Sequence, residues 1–405
     1  MLRRFAIITH LASAFFLVVT CFAGMGTLRA QQSRLTASDD FSASRKTAIT
    51  RAVQACSPAV VGINVTEVRE YQYQDPYDVF SNDPFFAQFF GRRQPQVYRQ
   101  QVQGLGSGFL VSPDGYILTN DHVAGHATKV VVTMTNGEKY DAKVIGSDRV
   151  SDVCLLKIEP PKDGSASSSP SSGGKDGKFP FIKLANSDDT MVGEWVIAFG
   201  NPFGLFDINA KPTVTVGVVS NMGVSLTQQD GRVYRNMIQT DAAISSGNSG
   251  GPLVNGLGEA IAMNTIIYST AQRGSEAGSI GIGFAIPMNR VRKIMDLLKR
   301  DGKIDRNFDV GMVVQAVDER IAKFLNLKKA QGIVVSEIIA GTPAERAGFE
   351  PADLLLEIDG QKINRENDVQ TIVGDGITGQ KIEFLILRGD KKLTKTLVLE
   401  PRKRQ

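Results

Sequence analysis

Three histidines occur in the 405-residue sequence, and one of them, His10, lies in an apolar N-terminal stretch. A hydrolase that uses an imidazole base must therefore use His122 or His126. His122 ends the run Ile117-Leu118-Thr119-Asn120-Asp121-His122, directly after a strand-like segment. Asp152 opens another strand-like segment, Asp152-Val153-Cys154-Leu155-Leu156. Ser249 sits in a glycine-flanked turn, Ser246-Gly247-Asn248-Ser249-Gly250-Gly251-Pro252. These three residue types serve one chemistry. A serine hydroxyl is barely ionised at neutral pH, so a base must take its proton during attack. Neutral imidazole suits that task, and a carboxylate behind it fixes the tautomer and stabilises the imidazolium.

The turn around Ser249 has a second expected use. Gly247 and Gly250 permit backbone angles that side chains resist. Gly247-Asn248-Ser249 is expected to form an oxyanion hole, with the amides of Gly247 and Ser249 aimed at one point. The competing reading makes His122 and His126 a metal pair at i, i+4. No Glu follows in His-Glu-x-x-His form and no third ligand is evident, so no metal or organic cofactor is expected, and His126 reads as a surface or capping residue.

These groups need a β scaffold. Short β-branched runs start at Val60-Val61-Gly62-Ile63-Asn64-Val65 and recur through 281–285, with turn signals at Pro113-Asp114-Gly115, Asn136-Gly137 and Asn255-Gly256. About a dozen short strands with little helix between them indicate paired barrels or a sandwich. Two stretches interrupt the pattern. Residues 69–103 mix aromatics with Gln, Pro and Arg, and read as a contact loop or a loop packed on its own domain. Residues 160–180 are low in complexity and carry no assigned chemistry. After Pro287, Val291, Ile294, Met295, Leu297 and Leu298 share one helical face, and Gly302 ends the helix.

Length suits two or three domains. Apolar residues make up 42% and charged residues 22%, as in soluble globular chains, and the net charge of +4 neither demands nor excludes an anionic partner. No basic run with interleaved aromatics occurs, so nucleic acid is not an expected partner. Cys56 and Cys154 lie in apolar contexts and read as buried thiols. Arg3 and Arg4 precede Phe5 to Leu28, which holds no Asp, Glu, Lys or Arg. This reads as an export signal, cleaved after Ala23 or Ala30 in the first expectation and retained as a membrane anchor in the second. The expected organisation is a leader at 1–30, an N-terminal segment at 31–57, a β domain at 58–287, a helix and linker at 288–308 and a small α+β domain at 309–400.

Thr119-Asn120-Asp121-His122-Val123, Asp152 and Gly247-Asn248-Ser249-Gly250-Gly251 resemble the triad signatures of the HtrA (Deg) serine proteases. The likeness extends over 45–399, including Phe199-Gly200-Asn201-Pro202-Phe203-Gly204-Leu205 and Gln239-Thr240-Asp241-Ala242-Ala243-Ile244. It implies a mostly β chain, with two six-stranded barrels of trypsin-like fold followed by a PDZ-like domain. Ser246 and Ala262 depart from the residues frequent in that family, without touching the triad. Segment 222–235 matches the family's regulatory loop in position only, with Arg232 or Arg235 as candidates for its sensing residue.

An Asp six residues before the nucleophile selects basic side chains in digestive proteases of this fold. Ala243 holds that position here, so no Lys or Arg preference is expected. By the resemblance, Ile244 and Ile267 line a small apolar pocket; otherwise they fill the barrel core. Gly332-Ile333-Val334-Val335 and Gly341-Thr342-Pro343-Ala344 resemble a bacterial PDZ domain, with Val310-Gly311-Met312 as its carboxylate loop and a helix near 366–373 as a groove wall. The resemblance further implies a homotrimer that degrades unfolded exported proteins in the periplasm, soluble or tethered to the inner membrane, with C-terminal peptides bound at the PDZ-like domain. Two other classes stand beside this one: a chaperone or scaffold with minor proteolysis, and a membrane-tethered regulatory protease with one dedicated substrate.

Overall fold

The computed structural model describes residues 44–72, 97–160, 178–201, 211–226, 230–245, 247–267, 281–327 and 329–402. The leader, the tip of the 69–103 insertion and most of the 160–180 stretch lie outside the described residues. The chain divides into two compact units, Met1–Gln54 and Ala55–Gln405. In the second unit, Val60–Gln72 (β1), Val97–Leu110 (β2), Tyr116–Thr119 (β3), Lys129–Thr133 (β4), Lys139–Asp148 (β5) and Val153–Lys157 (β6) form a closed barrel in the order β1-β2-β3-β6-β5-β4. Trp195–Gly200 (β7), Thr213–Val224 (β8), Met237–Thr240 (β9), Pro252–Asn255 (β10), Ala260–Ile267 (β11) and Gly283–Pro287 (β12) close a second, in the order β10-β11-β12-β9-β8-β7. The two six-stranded barrels expected from the sequence are present.

Closure removes the sheet edges that short strands would otherwise expose. The β-branched run of β1 fills the first barrel, where Val60, Val61 and Ile63 are fully buried. In the second, Val196, Ala198, Val219, Ile238, Leu253 and Ala262 form one buried cluster. Helix Met288–Asp301 buries Met288, Val291, Ile294 and Leu298 and packs on β5, β6 and β11. Its left-handed C-cap is Gly302, whose amide bonds the Leu298 carbonyl. The carbonyl of Gly302 comes so close to Gly146 of β5 that a Cβ there would lie 2.3 Å from it.

One expectation needs adjusting. β1 and β2 stay paired from Val60↔Phe109 out to Gln72↔Val97, so the strands run well into the stretch read as an interrupting loop. The outer pairs carry polar residues such as Glu70↔Arg99 and Arg69↔Gln100. Backbone pairing of a hairpin needs no apolar alternation, which is why the hydrophobic pattern stops before the strands do.

The C-terminal part contains Phe308–Asp309 (β13), Met312–Ala316 (β14), Ile333–Ile338 (β15), Leu354–Ile358 (β16), Gln361–Lys362 (β17), Lys381–Arg388 (β18) and Lys391–Val398 (β19). The sheet path is β14-β15-β16-β18-β19, with β14 at one end. Phe349 and Phe384 meet edge to face at 5.2 Å inside its core, beside Ile333, Ile382 and Leu397. Arg306 ties this part to the first barrel. Its guanidinium donates to both oxygens of Asp148 at 2.8 and 2.7 Å and to the carbonyls of Asp375 and Gly376 at 2.6 and 2.9 Å.

Candidate active site

The first barrel supplies His122 and Asp152, and the second supplies Ser249. His122 lies in the one-turn helix Asp121–Ala124 after β3, and Asp152 in the turn between β5 and β6. Asp152 adopts a left-handed φ of 58°, a region Asp tolerates better than most residues. The buried side chain of Asn120 fixes that turn by donating from Nδ2 to the Asp152 carbonyl at 2.9 Å.

The Asp152 carboxylate is fully buried and surrounded by donors. His122 Nδ1 lies 2.9 Å from both oxygens, and the His122 backbone amide donates to Oδ1 at 3.1 Å. Thr265 Oγ1 donates to Oδ2 at 2.6 Å, while Arg232 Nε reaches Oδ1 at 3.3 Å and the Tyr234 hydroxyl reaches Oδ2 at 3.5 Å. Burial pushes this carboxyl up, but the hydrogen bond and charge of His122, with the bond from Thr265, outweigh burial and hold it below the usual carboxylate range. Asp152 is thus an ionised acceptor beside Nδ1 at neutral pH, which directs the Nδ1 proton toward it.

The β2 strand grips the Ser249 turn from the other barrel. Ser107 donates its amide to the Ser249 carbonyl at 3.0 Å and its hydroxyl to the Gly247 carbonyl at 2.5 Å. Gly247 and Gly250 hold φ values of 95° and 84°, as the sequence reading required of them. A Cβ on Gly250 would lie 2.3 Å from both the Ser107 carbonyl and Thr119 Oγ1. Gly250→Ala is therefore expected to cost about 1–3 kcal/mol for the backbone angle alone, with the clash in addition. A lowered urea midpoint at unchanged slope checks this.

Ser249 Oγ donates to the Thr265 carbonyl at 3.0 Å, and Ser249, Gly247 and His122 line one cleft of about 230 Å³ with Val65, Glu67, Val102, Gly104, Leu105 and Val123. Asn248, in the same turn, is buried, with its Oδ1 2.2 Å from where a Cβ on Gly200 would stand. Thr265 was not legible as a site residue, although Asn264-Thr265 is a polar pair in the otherwise apolar strand β11 and both are buried. His126 is exposed.

The other residues named from sequence fall as follows. Ile244 is buried and packs on Gly283, whose backbone partner across the β11–β12 ladder is Ile267; the Ile267 side chain lies outside the described residues. Ala243 is exposed, while Asp241 accepts from the Val218 amide at 2.7 Å and so is committed to the barrel wall. Arg232 bridges Asp152 and Asp121, whereas Arg235 reaches Gln361 Oε1 in the C-terminal part at 3.3 Å. Cys56 and Cys154 are buried, and burial pushes their thiols up to about 11 and about 12.

At the C-terminal part, Gly311 (φ 76°) lies between β13 and β14, so close to Thr342 that a Cβ would lie 2.0 Å from its side chain. Val310 donates its amide to Asp309 Oδ1 at 2.8 Å, and Met312 opens the end strand β14. Ala316 at the other end of β14 donates to Glu366 Oε1 at 2.8 Å, which sets helix Glu366–Gly374 beside this strand.

Comparison with known proteins gives a consistent picture. Residues 106–263 match the trypsin-like peptidase domain family and residues 280–399 the PDZ domain family. A probable periplasmic serine endoprotease, DegP-like, of Chlamydia trachomatis is 37% identical over 79% of this chain, and the match spans 59% of that protein. A DegP-like protein of Chlamydia pneumoniae is 41% identical over 73% of this chain and 55% of its own length. The putative serine protease HhoA of Synechocystis is 38% identical over 86% of this chain and 83% of its own length. Among solved structures, the HtrA-type protease AlgW with a decapeptide superposes with a TM-score of 0.60 at 33% identity, covering 87% of this chain and 98% of that one. The serine endoprotease from Yersinia pestis gives 0.53 at 28% identity, over 87% and 98%.

Proposed function

Because the chain belongs to the HtrA (Deg) family of trypsin-like serine proteases that carry PDZ domains, we propose that it is a serine endopeptidase using Ser249, His122 and Asp152. The observation that carries this reading is the approach of both Asp152 oxygens to His122 Nδ1 at 2.9 Å, beside the cleft that Ser249 also lines. In the proposed reaction Ser249 Oγ turns from the Thr265 carbonyl to Nε2 of His122. It then attacks the scissile carbonyl as the imidazole takes its proton. The tetrahedral oxyanion forms against the amides of Gly247 and Ser249, with Asn248 holding the turn between them. The imidazolium returns its proton to the leaving amine, and water repeats the cycle on the acyl enzyme.

Substrates are proposed to be unfolded or damaged exported proteins, cut after small apolar residues. Ile244 at Gly283, the neighbouring Ile267 and the absence of a carboxylate at Ala243 support that preference. The C-terminal domain is proposed to take peptide C-termini as an added strand on β14, facing helix Glu366–Gly374, with the carboxylate at Val310-Gly311-Met312. The bound decapeptide of AlgW supports a peptide-regulated protease. A homotrimer in the periplasm, freed by signal cleavage or tethered by the leader, completes the proposal, and the relatives described as periplasmic support that location.

The test follows cleavage of a reduced, unfolded protein by the chain from residue 31, with and without an apolar C-terminal peptide. Cleavage after Val or Ala, stimulated by the peptide, is expected. Binding that keeps the substrate soluble without cutting it would instead establish a chaperone, and preferential turnover of Arg-containing chromogenic peptides would overturn the pocket assignment.

A further inference from the structure

The Asp152 carboxylate has a competitor for His122. Arg232 reaches it from the loop between β8 and β9 on the second barrel, donating from Nε to Asp152 Oδ1 at 3.3 Å and from Nη2 to Asp121 Oδ2 at 3.2 Å. The guanidinium is only 15% exposed, and the two carboxylates 0% and 3%. In so dry a setting these charges act on one another with little screening. The loop is pinned for this contact. Arg149 donates to the Asp230 carbonyl at 3.2 and 3.0 Å, and the Val233 amide donates to the Val150 carbonyl at 2.8 Å. Arg149 and Val150 belong to the turn that carries Asp152, so loop and carboxylate are held in one register.

We infer that Arg232 is a positioning residue of the proposed proteolytic centre, which by sharing Asp152 with His122 limits proton retention on the imidazole and so sets the acid edge of activity. The inference rests on the triad proposed above. Its electrostatic content follows from the groups that face the imidazole. Asp121, adjacent in sequence, and Asp152 favour a protonated ring, and Glu67 of β1 lines the same cleft. Arg232 is the cation set against them. Tyr234 and Cys154, the other titratable groups beside Asp152, stay neutral, because burial and the Asp152 charge push both up. Without Arg232, the two buried carboxylates that it bridges would both pull a proton onto His122.

The test is the pH profile of kcat/KM for a cleavable peptide, whose acid limb reports the free enzyme. A charge within about 4–6 Å of a titrating group moves it by about 1–3 units. Arg232 acts on the imidazole through Asp152, so the low end of that range is expected. Arg232→Gln is expected to move the limb to higher pH by about one unit, and Arg232→Lys to leave it near the parent position. Asp121→Asn, whose oxygen can still accept from Arg232 while the Ser147 hydroxyl rotates to accept from its amide nitrogen, is expected to move it to lower pH. That opposite shift keeps the inference testable if Arg232→Gln fails to fold. A purely structural role would lower kcat/KM at every pH with the limb in place, and this outcome overturns the inference. Failure of the parent chain to cleave anything in a Ser249-dependent way would instead overturn the reading beneath it.

Discussion

Replacing Ser249 with Ala is expected to lower kcat by about 10⁵–10⁶-fold, the loss seen when a nucleophile acting as one unit with its base is removed. The residual rate would come from substrate binding and from the amides of Gly247 and Ser249, which the substitution leaves in place. The structure explains why the fold should survive. Among the described residues Ser249 Oγ donates one hydrogen bond, to the Thr265 carbonyl, worth about 1 kcal/mol net. The turn itself is held by backbone: Ser107 N to Ser249 O, Gly250 N to Asn264 O and Gly251 N to Asn248 O, at 3.0, 2.9 and 3.0 Å. Loss of cleavage with an unchanged melting temperature and retained binding of unfolded substrate is the expected result. Cleavage within a hundredfold of the parent would place the nucleophile elsewhere.

The fold and the site differed in how far they could be read from sequence. The strands were legible because they are short, β-branched and punctuated, as in Val60-Val61-Gly62-Ile63 and the Pro113-Asp114-Gly115 turn. That pattern left paired barrels and a sandwich open, and the family resemblance implied the barrels. The outer halves of β1 and β2 were not, because Glu67, Arg69, Arg99 and Gln101 carry no apolar period and pairing there is set by the hairpin. His122, Asp152 and Ser249 stood out because each lies at a strand edge in a chain poor in histidine. Thr265 did not, and Arg232 was legible only as a candidate sensing residue of the 222–235 loop, not as a partner of Asp152. A buried hydroxyl or a guanidinium bonds whatever the tertiary fold brings near it, and Asp152 lies 113 and 80 positions away from them. Sequence spacing carries nothing about contacts that depend on how two barrels dock. Gly250 was legible as a turn glycine, but the 2.3 Å approach that forbids a side chain there belongs to the seam between the barrels.

That docking also governs what a conservative change at the buried acid should do. Asp152→Asn is expected to lower kcat about 10⁴-fold near neutral pH, about 5.5 kcal/mol of transition-state stabilisation. Oδ1 receives the His122 amide and Arg232 Nε, neither of which can accept a hydrogen bond. The amide nitrogen of Asn must therefore take the Oδ2 side, where Thr265 Oγ1 can rotate to accept. On that side it also lies 2.9 Å from His122 Nδ1 and favours the tautomer with its lone pair there, which leaves the proton on Nε2 where Ser249 needs a base. The carboxylate charge that stabilised the imidazolium is lost as well, while the Arg232 charge beside it persists and now opposes protonation. In the Asp152→Asn background, Arg232→Gln should consequently raise the residual rate, although the same change alone shifts the acid limb unfavourably. Steady-state kinetics on the two single variants and the double variant measure this coupling directly. Additive losses would remove Arg232 from the electrostatics of the site, and an Asp152→Asn enzyme retaining more than about one part in a hundred of its rate would remove Asp152 from the catalytic unit.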